Sequence, residues 1–151
     1  MIVTAESPAR ISLVGGGTDV PSYSDKFGGL CVNLAINLKQ HVTYYTGQDL
    51  FSLPGNKFPY DVSGDLVYEI FKEFKVNGIH QSRIETSFDG VIEAGIGSSG
   101  AIGVALIGAI NRALNLKLSK NEIAEYAFKI ENQIHYTGRQ DQYVSLYGGM
   151  N

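Results

Sequence analysis

Gly95-Ile96-Gly97-Ser98-Ser99-Gly100-Ala101 is the stretch on which the reading of this chain turns. Its glycines let the backbone turn tightly and approach a ligand closely. Two serines follow, and the apolar run from Ala101 to Ile110 then opens a helix expected over about Ser99–Leu114. Backbone N–H groups and hydroxyls thus gather at a helix N-terminus, where the macrodipole favours anions. A nucleotide phosphate is the obvious guest.

Two familiar phosphate loops fit the same letters less well. Gly95–Gly100 satisfies G-x-G-x-x-G, but that fingerprint follows its strand directly and has an acid closing a second strand roughly 20 residues on. Here Asp89–Ala94 separates strand from glycine, and Ser119-Lys120-Asn121-Glu122, a capping box, opens another helix instead. A dinucleotide-binding oxidoreductase therefore rests on the glycines alone. No lysine follows the last glycine, so the loop is not a Walker A sequence either. A phosphate cradle remains, with Ser98 and Ser99 as hydroxyl ligands for phosphate or metal.

Outward from the loop, Ser82–Phe88 alternates as a strand, with Ile84, Thr86 and Phe88 on one face. The helix after the loop is apolar on nearly all sides and should be central. Gly103 and Gly108 each cost about 1 kcal/mol there relative to alanine, which close packing against a neighbouring backbone would explain. The capped helix runs to about Ile134. Asp65–Val76 carries Leu66, Val67, Ile70, Phe71 and Phe74 at helical spacing, and Asn77-Gly78 ends it. Gln48–Tyr60, with Pro54-Gly55 and Pro59, reads as loop. Cys31–Tyr45 reads as one long strand or a hairpin, and Ile2–Leu13 as a strand interrupted near Pro8.

The 151 residues fit one domain. A net charge of −3 gives no basic footprint, so nucleic acid is not an expected partner. Cys31 is the single cysteine, which excludes an intrachain disulfide and fits a reducing compartment. There is no charged-then-apolar leader and no apolar run long enough for a bilayer. The expectation is a soluble, cytoplasmic domain without a membrane partner.

Two further clusters could carry chemistry. Ser7–Asp19 ends in Gly15-Gly16-Gly17-Thr18-Asp19. There Asp19 could accept hydrogen bonds from a polyhydroxylated ligand while Arg10 supplies fixed positive charge. An ordinary turn with a solvated aspartate is the alternative. Glu131 stands on the largely apolar face of the last helix, an expensive place for an acid unless it is paired or meets a cation. Asp141 follows in a glycine-started loop, within Gly138-Arg139-Gln140-Asp141-Gln142. Phosphoryl transfer to a hydroxyl needs a cation on the phosphates and an acid at the acceptor, and Glu131 and Asp141 could divide those tasks. A salt bridge from Glu131 to Lys129 or Arg139 is the alternative. His41, His80 and His135 show no metal-ligand spacing.

In this order and spacing the three clusters resemble the GHMP family of small-molecule kinases, which includes galactokinases, homoserine kinases and mevalonate kinases. Ser7–Asp19, continued by Tyr23, Phe27-Gly28-Gly29 and Asn33, is most similar to the branch acting on heptose 7-phosphate and to fucokinases. Gly95–Ala101 is similar to the family's phosphate-binding motif. Gly138–Asp141, closing at Tyr147-Gly148-Gly149, is similar to the catalytic segment of that same branch.

The resemblance implies an α+β fold of the ribosomal protein S5 domain 2-like kind, a mixed sheet packed with helices, as the N-terminal, ATP-binding domain over residues 1–151. It implies ATP-dependent transfer to a sugar or sugar-phosphate hydroxyl, the anomeric hydroxyl of a heptose 7-phosphate-like sugar above all. Gly95, Gly97, Ser98, Ser99 and Gly100 would cradle ATP phosphates, and Ser99 and Glu131 would hold Mg²⁺. Asp141 would be the catalytic base and Arg10 would neutralise developing charge. Gly17, Thr18, Asp19 and Tyr23 would bind the sugar.

Two departures from the family's pattern are Val91, where a proline is usual, and Gly100, where serine or alanine is common. The family also carries a C-terminal domain with a third glycine-rich motif, and this sequence stops at Asn151. A shortened gene, a kinase completed by a second polypeptide, and a relict module that binds nucleotide without turning it over all fit that ending.

Overall fold

The computed structural model describes residues 1–46, 65–76, 82–91 and 94–151. Among them three strands, β1 (Ile2–Val14), β2 (Val32–Thr46) and β3 (Ser82–Phe88), form one sheet in the order β1-β2-β3. Both pairings are antiparallel. Five helices accompany them: α1 (Pro21–Phe27), α2 (Leu66–Glu73), α3 (Ser98–Leu114), α4 (Lys120–Ile134) and α5 (Gln140–Tyr147).

Pro8 does not break β1. The register slips between Pro8↔Lys39 and Arg10↔Ala35, so a bulge replaces the expected interruption. Proline is tolerated because β1 is an edge strand, where a missing N–H leaves no neighbour unpaired. The bulge lets Arg10 N–H leave the ladder and donate to Ile96 O at 2.9 Å, which seats the strand against the glycine loop. β2 is one continuous strand rather than a hairpin.

The core lies between the sheet and the helices. Val42, Tyr44 and Ile84 of the sheet meet Ile70 and Phe71 of α2, with Leu106, Ile107 and Ile110 of α3 and Ile130 of α4 completing it. Nine residues of α3 are buried, as its all-round apolarity requires. The glycines of that helix contradict the close-packing expectation. A Cβ at Gly103 would meet only side chains, the nearer at 3.7 Å, and one at Gly108 would meet nothing within 4 Å.

Local signals hold elsewhere. Asp65 caps α2 by accepting from Val67 and Tyr68 N–H, and the capping box of Ser119 and Glu122 is closed in both directions. The Gln48–Tyr60 loop and the Asn77-Gly78 stop lie outside the described residues. Two helices went unanticipated. One is α1, which buries no residue; the other is α5, which puts Asp141 in a first helical turn and not in a loop.

Candidate active site

Gly95 and Gly97 both hold positive φ, +69° and +74°, and Gly97 is the residue from which α3 starts. A side chain at Gly97 would be strained twice over, because its Cβ would lie 3.0 Å from Asp141 Oδ2. No side chain caps α3 at this end, so the N–H groups of its first turn face the space before the glycine loop. Ser99 is exposed there.

Arg10 ties the loop to the far end of the chain. Its Nη1 donates to Gly95 O at 2.7 Å, its Nε donates to Asp141 Oδ1 at 2.7 Å, and Nη2 lies 2.6 Å from the same oxygen. Both side chains are 12% exposed. Asp141 Oδ1 is therefore occupied twice, while Oδ2 faces Gly97. Burial pushes the Asp141 carboxyl above its ordinary value; the Arg10 guanidinium pulls against that shift and the charge of Asp19 adds to it. Gly100 gives Asp141 its room, since a Cβ there would stand 2.6 Å from Asp141 Cβ.

Glu131 is buried, at 4% exposure. Its Oε1 accepts from Ser99 Oγ at 2.6 Å and its Oε2 from Gln142 Nε2 at 2.7 Å. The helix-end salt bridge does not form: Lys129 pairs with Glu73 and Arg139 with Glu125. Arg139 also lies 4.1 Å from the Phe128 ring centroid. Glu131 thus meets only neutral donors among the ion pairs and hydrogen bonds of the described residues. No group of three His, Cys, Asp or Glu residues there could hold a metal alone.

Asp19 is not a solvated turn residue. Oδ1 accepts from Gly17 N–H at 3.1 Å, and Oδ2 accepts from Gln140 N–H at 2.9 Å, at the start of α5. Thr18 Oγ1 holds its own loop by donating to Gly15 O and accepting from Leu30 N–H. Tyr23 is 44% exposed and tilts against Phe27 with ring centroids 5.1 Å apart.

The fold thus brings Arg10, the glycine loop and Asp141 into contact, joins Ser99 to Glu131, and sets Asp19 beside α5. Thr18 and Gly17 stand in that Asp19 turn. Sequence reasoning set Gln142 in the third cluster without giving it a role; it is fully buried and donates to Glu131. Sequence reasoning missed that Asp19 caps the helix carrying Asp141.

The profile of the GHMP kinases N terminal domain matches residues 65–149. The D-glycero-alpha-D-manno-heptose 7-phosphate kinase of Campylobacter jejuni is 32% identical over 99% of this chain and 49% of its own length. The L-fucokinase/L-fucose-1-P guanylyltransferase of Bacteroides fragilis is 29% identical over 99% of this chain and 20% of its own. A crystal structure of a D-glycero-D-manno-heptose 1-phosphate kinase from Bacteroides thetaiotaomicron superimposes with a TM-score of 0.78 at 28% identity, covering 100% of this chain and 55% of that one. The chain spans about half the length of the two heptose-phosphate kinases it matches. With the motif order, the glycine loop and the profile match in agreement, the chain belongs to the GHMP kinases and carries their N-terminal domain.

Proposed function

We propose that this chain serves ATP-dependent phosphorylation of a sugar or sugar-phosphate hydroxyl, the anomeric hydroxyl of a heptose 7-phosphate-like sugar. The observation that carries the reading is the contact of Asp141 with both Arg10 and the glycine loop, which sets an acid beside a phosphate cradle. The ATP phosphates lie along Gly95, Gly97, Ser98, Ser99 and Gly100, on the N–H groups of the first turn of α3. Gly17, Thr18, Asp19 and Tyr23 form the sugar side, with Thr18 and Asp19 acting largely through the loop they hold.

Asp141 takes the proton of the sugar hydroxyl as that oxygen forms its bond to the γ-phosphorus, and the bond to the departing ADP oxygen breaks. A carboxyl whose pKa is raised by burial is better suited to accept that proton than an ordinary surface aspartate. Arg10 orients the base and offsets negative charge at the loop. Positioning and fixed charge supply most of the acceleration.

Magnesium fits the residues present. The buried carboxylate of Glu131, without a cationic partner among the described residues and joined to the exposed Ser99 hydroxyl, would hold the ion together with that hydroxyl. Bound there, the ion would neutralise phosphate charge. We assign the reaction to the cytoplasm, where ATP is available.

Transfer of labelled γ-phosphate from Mg-ATP to a panel of sugars and sugar phosphates tests the reading. Asp141→Asn is expected to abolish transfer and to spare ATP binding; turnover unchanged in that variant would remove Asp141 as the base. ATP binding without transfer to any acceptor would favour the non-catalytic nucleotide-binding module instead.

A further inference from the structure

We propose that Gln142 is a positioning residue that holds the metal-facing carboxylate of Glu131, an inference that rests on reading the site as one for magnesium and ATP. Ser99 Oγ and Gln142 Nε2 each donate to a different oxygen of Glu131, at 2.6 and 2.7 Å, so neither oxygen can rotate without losing a bond. The two donors are not equivalent. Ser99 is exposed and its hydroxyl can swing toward a cation, whereas Gln142 is 0% exposed and is fixed on α5.

The orientation of the amide is determined by its partner. A carboxylate only accepts, so the nitrogen must face Glu131; turning the amide would set two acceptors against each other. The consequence is that Gln142 Oε1 is buried with no partner among the described residues. Native cores avoid such orphaned oxygens. An apolar side chain of similar volume would fill the place without an orphaned amide oxygen, though it would strip Glu131 Oε2 of its donor, so packing alone does not account for a glutamine here. Donation to Glu131 does.

Gln142 also stands next to Asp141 in the first turn of α5. The same helix therefore orients the acid at the glycine loop and, through Gln142, the carboxylate of Glu131 on the neighbouring α4. Loss of an outer partner of a metal ligand typically costs 10–100-fold (about one to two decades) in metal affinity.

The test is calorimetric binding of a non-hydrolysable ATP analogue, in magnesium and in EDTA, to the unsubstituted chain, Gln142→Met, Glu131→Gln and the double variant. The magnesium-dependent gain in affinity is expected to fall about tenfold in Gln142→Met. It should show no further loss when Glu131→Gln is already present, because the amide acts through that carboxylate. Equal loss in magnesium and in EDTA, or an undiminished loss in the Glu131→Gln background, would overturn the proposal and make Gln142 a packing residue. If Gln142→Met does not unfold cooperatively on heating, Gln142→Asn, whose amide is one methylene short of Glu131, is measured in its place. Failure of both to fold would also assign Gln142 to the core and overturn the proposal. A magnesium gain that is absent from the unsubstituted chain would overturn the magnesium-ATP reading itself, whereas a gain identical in all four proteins would overturn the metal role of Glu131 and Gln142 and leave ATP binding standing.

Discussion

At the scale of single residues, Asp141 sits under opposed influences. Burial raises its pKa, Arg10 lowers it, and Asp19 raises it again, with burial the largest and the net direction upward. As the proposed base, Asp141 must be deprotonated to act, so the acidic limb of kcat/KM is expected above the ordinary carboxylate range, and a pH–rate profile from pH 4 to pH 9 checks it (a span of about five units around the carboxylate and neutral ranges). The same shift has a sign for stability. With the folded pKa above the unfolded one, Asp141 favours the folded state most below the unfolded pKa, and that contribution is lost as pH rises through the folded value. Gly100 shows how little slack this carboxylate has. In Gly100→Ala the new methyl group would stand 2.6 Å from Asp141 Cβ, and Asp141 or α5 must move. Phosphoryl transfer should fall by about tenfold or more while the nucleotide is still bound, since small misplacements of reacting groups are costly. A variant with undiminished kcat would show that α5 gives way without penalty.

Among elements, α3 contains the most direct stability test. Gly108 lies inside a 17-residue helix with open space where a Cβ would go. Gly108→Ala should therefore raise stability by about 0.5–1 kcal/mol in urea unfolding, because the backbone entropy of glycine is removed without a clash. The spacing of apolar residues made α2, α3, α4 and β3 legible from the sequence, since each buries side chains in the core, and α2 and α4 also carry their own N-terminal caps. The two short helices lacked such signals for different reasons. α1 begins with proline and buries nothing, so no periodicity marks it. α5 has no side-chain cap at its own N-terminus; its first N–H is met by Asp19, 121 positions earlier. A cap supplied from that distance leaves no local trace, and Asp141 accordingly reads as loop. From the residues alone the partners of Glu131 were hidden for the same reason, Ser99 lying 32 positions away and Gln142 on a helix that the sequence did not announce; the family resemblance set Ser99 beside Glu131 but gave no sign of Gln142.

For the whole molecule, residues of the site come from β1 and its following loop, from the α3 turn, from α4 and from α5. Ligand binding across so many elements should stabilise all of them together. Mg-ATP at a hundredfold excess over its Kd is expected to add about 2.7 kcal/mol, read as an upward shift of Tm that EDTA diminishes. A Tm indifferent to Mg-ATP would mean that the folded chain does not bind it. The order of the three clusters along the sequence was enough to place the family, because motif order survives where contact partners cannot be read. The bond from Arg10 to Asp141 spans 131 positions and that from Asp19 to Gln140 spans 121, nearly the length of the chain. Closing loops of that size is slow compared with forming a helix or a hairpin. During synthesis the glycine loop therefore emerges long before the helix that secures it. The contacts of Arg10 and Asp19 with α5 can therefore close only once that helix has left the ribosome, after every strand of the sheet has already emerged.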